Sequence, residues 1–119
     1  MFYGCSNLTV APSLPATTLA WGCYGGMFRD CTSLTDAPQL PATELVRGCY
    51  GVMFNNCTSL SSIDVSFTSW DSYIEGVPDT GMWVNGVPTG NVGTFYKPSS
   101  LSTAFGYDYI PSGWTVVNK

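Results

Sequence analysis

The sequence contains no histidine. That removes the commonest general base and every Ser-His or Cys-His dyad. It also has no GxSxG elbow, Walker A loop or GxGxxG turn, and no CxxC pair with zinc-binding spacing. Charge is scarce: 10% of residues carry one, against roughly 25% in an average globular domain. The balance is acidic, with a formal net charge of -4, which argues against nucleic acid, whose binders need a basic footprint. A polybasic membrane anchor is disfavoured for the same reason. No apolar run approaches the ~18 residues of a membrane span, so no membrane insertion is expected. The first residues lack the basic region, apolar region and cleavage site of a secretion signal. These absences lead us to expect a protein that is not an enzyme and needs no cofactor or metal.

What is present is apolar and repetitive. Hydrophobic residues make up 45% of the chain and aromatics 14%, enough apolar surface to drive packing. Its 119 residues suit one domain with a modest core. Laid without a gap on Met27–Val52, Met1–Gly26 is identical at 16 of 26 positions, and a third copy begins at Met53 with MFNNCTSL before departing after Ser62. A fixed period in this range marks a solenoid, whose units bury their apolar faces only by stacking.

Each copy divides into two limbs. In the first, Leu8, Ala11 and Leu14 recur as Leu34, Ala37 and Leu40. Pro12, Pro15, Pro38 and Pro41 bar helix and limit ladder bonding, so strands of only ~3–4 residues are expected. The PxxP spacing falls at the same repeat position twice and reads as a structural corner. In the second limb, Leu19, Cys23 and Met27, and then Leu45, Cys49 and Met53, share one helical face beside Phe28 and Phe54. Thr17 and Thr43 are plausible caps, and the glycines around them limit the helix to one or two turns, α or 3₁₀. After Leu60, Ile63, Val65 and Phe67 alternate with Asp64 and Ser66, which predicts a half-buried strand. Met82-Trp-Val, Gly93-Thr-Phe-Tyr and Trp114-Thr-Val-Val are further short β candidates between turns.

These patterns predict a leucine-rich-repeat solenoid over residues 1–62, with units 1–26, 27–52 and a partial 53–62. Residues 63–119 are expected to form a mostly irregular and β C-terminal cap. Met1 falls on the first residue of a repeat with no polar cap before it. That start suggests a piece of a longer exported protein, and self-association through an uncapped N-terminal edge.

The sequence MFRDCTSLTDAPQLPATELVRGCYGVMFNNCTSL resembles the BspA-like branch of the leucine-rich repeats, in which F-x-x-C-x-x-L recurs. The resemblance covers residues 1–62. Gly93-Thr-Phe-Tyr-Lys and Ile110-Pro-Ser-Gly-Trp-Thr-Val resemble the tail that follows such arrays in gut bacterial and phage-associated surface proteins. The resemblance implies an exported, cell-surface or tail-fibre-like role in adhesion and recognition.

Candidate binding positions are those that differ between otherwise matching copies. Tyr3 stands against Arg29, Val10 against Asp36, Ser13 against Gln39 and Trp21 against Arg47, and sites that tolerate such exchange are expected to face solvent. A protein or glycan ligand is the expected partner, with exposed aromatics as possible hot spots. The main alternative is an architectural segment that caps a longer array.

Cys5, Cys31 and Cys57 share one repeat position and are expected to stack as a ladder of small buried thiols. The rival pairing is Cys23–Cys31 and Cys49–Cys57 disulfides in an oxidising compartment. Asp64, Asp71, Glu75 and Asp79 could in principle serve a glycosidase, but they lie in a polar turn region where carboxylates are usually solvated. Two glycosylation sequons, at Asn7 and Asn56, overlap packing positions of the repeat and read as coincidence.

Overall fold

The computed structural model describes residues 4–9, 11, 24–43, 50–70 and 80–119. Three short strands form one parallel sheet in the order β1 (Ser62–Asp64), β2 (Thr94–Lys97), β3 (Thr115–Asn118). Ser62, Thr94 and Thr115 share one register row, and Ile63, Phe95 and Val116 the next. Parallel neighbours require a crossover between strands, and the described parts of both crossovers are loop and turn, with no helix among the described residues.

The sheet continues upstream of β1 as single bridges, Asp36 with Ser62 and Leu40 with Val65. The expected strands at Leu34–Leu40 are thus reduced to isolated pairings. Pro38 lies between the two bridges and has no N–H to give to a ladder. One step further back, the Thr35 amide donates to the Thr9 carbonyl at 3.2 Å, and the Ser61 amide donates to the Thr35 carbonyl at 2.9 Å.

Away from the sheet, residues 24–30, 50–56 and 80–86 form matching turns with an alternating bond pattern. The amides of Gly26, Phe28 and Asp30 donate to the carbonyls of Gly51, Met53 and Asn55 in the following copy, at 2.8, 3.0 and 2.9 Å. Val52, Phe54 and Asn56 donate in the same way to Gly81, Trp83 and Asn85, at 2.9, 2.8 and 2.7 Å. The amides between them turn back within their own copy, Met27 to Tyr24, Arg29 to Gly26 and Cys31 to Phe28. Aiming alternate amides at a neighbour forces left-handed backbone at both ends of each turn. Gly26 and Asp30, Val52 and Asn56, and Met82 and Gly86 all have φ between 47° and 85°.

This corrects two expectations. Met27, Phe28, Met53 and Phe54 were expected at the end of a helical face, but lie in these turns. A helix would keep every amide bonded within its own copy, whereas half of these bond across copies. Residues 12–23 and 44–49, which carry the rest of the expected helices, lie outside the described residues. Met82-Trp83-Val84, expected as β, is the third turn of the same series.

One core runs through the described parts. Phe28, Cys31, Leu34, Met53, Phe54, Cys57, Leu60, Trp83, Phe95 and Ile110 are fully buried in it, and Leu8 packs against it. Tyr24 stacks on Tyr50 with centroids 6.0 Å apart and planes 2° apart, and Phe28 on Phe54 at 5.9 Å and 5°. The expected boundary between residues 62 and 63 falls inside β1, and residues on both sides of it share this core.

Candidate functional site

The outer face of the sheet follows from strand alternation. Ile63 and Phe95 are buried and Val116 is half-buried, all on the inner face, because successive side chains of a strand point to opposite sides. Ser62 and Asp64, Thr94 and Tyr96, and Thr115 and Val117 therefore line the outer face, with Asp36 extending the first row. Tyr96 stands centrally, 36% exposed, between Asp64 and Val117 in register. Lys119 reaches back across β2 to Asp64, with Nζ 2.5 Å from Oδ1 and both side chains about one-third exposed. The face thus offers one aromatic ring, a row of hydroxyls and a solvent-screened ion pair. Such a surface can recognise a partner, and its groups lack any nucleophile-and-base arrangement.

Of the positions singled out in the sequence, Asp36, Gln39 and Arg29 are described, and all three are exposed. Asp36 lies on the sheet row, where Thr35 Oγ1 donates to its Oδ2 at 3.4 Å. Gln39 precedes the Leu40 bridge. Arg29 belongs to the turn series, where its carbonyl accepts the Gly4 amide at 2.8 Å. Asp36 and Arg29 therefore sit in different rows of the fold. Tyr3, Val10, Ser13, Trp21 and Arg47 lie outside the described residues. Tyr96 and Lys119 were not singled out and Asp64 was considered only among the carboxylates, although alternation along 63–67 already put Asp64 opposite the buried residues.

Neither a protein-family model nor a curated protein nor a solved structure matches this chain.

Cys5, Cys31 and Cys57 are thiols, and Cys57 Sγ donates to the Phe28 carbonyl at 3.0 Å. Burial pushes the Cys31 thiol up, and it pushes Cys57 up to about 12, with the neighbouring Cys31 adding to the shift. A thiol held protonated in this way is a poor nucleophile. Cys23 and Cys49, the other halves of the rival disulfides, lie outside the described residues. Asp64 is committed to Lys119, while Asp71, Glu75 and Asp79 are outside the described residues. Among the described residues no group of His, Cys, Asp or Glu could hold a metal, and no helix is long and apolar enough to cross a membrane. At the second sequon the Asn56 amide donates to Asp30 Oδ1 at 3.0 Å, so that side chain already has a structural use.

Proposed function

We propose that this chain is a short leucine-rich-repeat coil of the BspA-like kind, and that it acts as a non-catalytic recognition module. In this reading it works at a bacterial or phage surface and binds protein or glycan through the outer face of its sheet. The carrying observation is a regular scaffold beneath a varied surface. Thr35-to-Thr9 and Ser61-to-Thr35 contacts repeat at a spacing of 26 residues, and Phe stacks on Phe and Tyr on Tyr from copy to copy. Across the outer face the aligned side chains change at each level, from Asp64 to Tyr96 to Val117. A constant interior with a changing exterior is how stacked repeats combine stability with selectivity.

The test is a glycan array and a surface-protein array probed with the full chain and with Tyr96→Ala. Loss of a central aromatic anchor should weaken a genuine partner by about tenfold or more. Binding that survives both Tyr96→Ala and a Thr94→Arg obstruction would remove the sheet face from consideration. A chain that binds nothing on either array would favour the architectural alternative.

A further inference from the structure

A cleft of about 370 Å³ opens between residues 68–70 and 100–109, away from the sheet face discussed above. Thr68, Ser100 and Ser102 bring hydroxyls to its walls, Trp70 and Tyr109 bring rings, and Ala104 brings a methyl group. Among the described residues no charged side chain lines it. Its volume lies in the range of pockets for small ligands.

The walls are tied together by the aromatic core. Trp70 Nε1 donates to the Ser102 carbonyl at 2.8 Å, joining one wall to the other. Trp83 Nε1 donates to the Tyr109 carbonyl at 2.7 Å, and Thr80 Oγ1 to the Asp108 carbonyl at 2.6 Å. The Trp70 and Tyr109 rings meet edge to face with centroids 5.3 Å apart. Trp70 is 5% exposed, so it forms a floor, while the half-buried Tyr109 presents the accessible ring. The hydroxyls of Thr68, Ser100 and Ser102 make no hydrogen bond to other described residues. A hydroxyl both donates and accepts, which suits a ligand whose own groups do the same.

The geometry points to a binding site for a neutral mono- or disaccharide, its hydroxyls met by the Ser and Thr side chains and one ring face lying against Tyr109. The described lining offers no cation to meet a uronic or sialic acid, and its hydroxyl-rich walls disfavour a purely apolar ligand. The inference rests on the recognition reading above but uses a different surface, so each can fail alone.

The experiment titrates the full chain with cellobiose, maltose, lactose and chitobiose, with glucuronic acid as the charged comparison. It follows tryptophan fluorescence, for which Trp70 is the local reporter, and isothermal titration heat. Saturable binding of at least one neutral disaccharide is expected, with none for glucuronic acid. Tyr109→Ala should weaken it about tenfold or more, and Ser100→Trp, at an exposed turn position, should block the mouth. If Tyr109→Ala fails to fold by near-ultraviolet circular dichroism, Ser100→Trp carries the test. Tyr96→Ala should leave sugar binding unchanged. The assignment is overturned if no disaccharide in the panel saturates, if binding persists in folded Ser100→Trp, or if Tyr96→Ala abolishes it. The last outcome would move the sugar to the sheet face and leave the recognition reading standing.

Discussion

Cys57 offers a stability test whose sign and size follow from its surroundings. Its side chain is fully buried, with Sγ bonded to a backbone carbonyl. Burial raises its pKa from 9.0 to about 12. Below pH 9 the thiol is protonated whether the chain is folded or not, so it adds no pH dependence there. Above that point the unfolded chain loses the proton and the folded chain keeps it. Stability therefore falls as pH rises from about 9 towards 12, with a limiting slope of ~1.4 kcal/mol per pH unit. Between pH 8 and pH 10 this one thiol should remove about 1.4 kcal/mol. Denaturant melts of the parent and of Cys57→Ala at both pH values measure it. The alanine variant starts less stable, because it vacates volume and removes the thiol donor from the Phe28 carbonyl, which keeps the Cys31 amide at 3.0 Å. Its own loss between the two pH values should nevertheless be smaller by about 1.4 kcal/mol. The comparison reads only the difference between the two losses, so groups that do not contact Cys57 drop out of it. Equal pH losses in parent and variant would show that Cys57 is not desolvated as described.

Other substitutions probe the turns, the core and the sheet face. Asn56 has φ 64° and gives its amide to Asp30 at 3.0 Å, so Asn56→Ala should cost ~1–2 kcal/mol, and Asn56→Gly distinctly less. A Cβ on Gly93 would stand 2.4 Å from Trp114 Cε2, whose ring is anchored through Nε1 to the Pro88 carbonyl at 2.8 Å. Gly93→Ala is therefore expected to lower stability by ~1–3 kcal/mol in a thermal melt. Trp83 is fully buried, packs near Tyr50, Phe54, Phe67, Trp70 and Phe95, and holds the Tyr109 carbonyl. Trp83→Ala should cost ~3–5 kcal/mol and flatten the near-ultraviolet signal. Lys119→Ala should cost at most ~1 kcal/mol and no more in high salt, because its partner Asp64 is solvent-screened.

How far the sequence could be read depended on which interaction decided each element. Alternation between apolar and polar residues survives folding wherever a strand covers a core. Ile63, Val65 and Phe67 are buried and Asp64 and Ser66 half-exposed, and Phe95 and Val116 occupy the inner side of their strands as the β candidates suggested. The turns were misread because Met27 and Met53 also fit a helical face, and periodicity counts side chains without asking where amides bond. The signal was nevertheless in the sequence as recurring residues that tolerate left-handed backbone, Gly4, Asp30, Asn56 and Gly86, one at the end of each turn. Asp, Asn and Gly are the residues that adopt that conformation most easily, and their recurrence is a turn signature that a helix would not need.

The departure of the third copy after Ser62 hid the rest. Beyond it the spacing drifts: the Val65 amide still donates to the next level at Tyr96, and Thr115 to Gly93, but over separations of 31 and 22 residues, counted from those numbers. Identity therefore falls away while the hydrogen-bond geometry persists. Backbone pairing constrains only the row a residue occupies, whereas side-chain identity is constrained only where that row is dry. The outer row is wet, so Asp64, Tyr96 and Val117 differ freely at aligned positions. The divergence that hid this part of the chain in the sequence is the same feature that makes its outer face a candidate for selective binding.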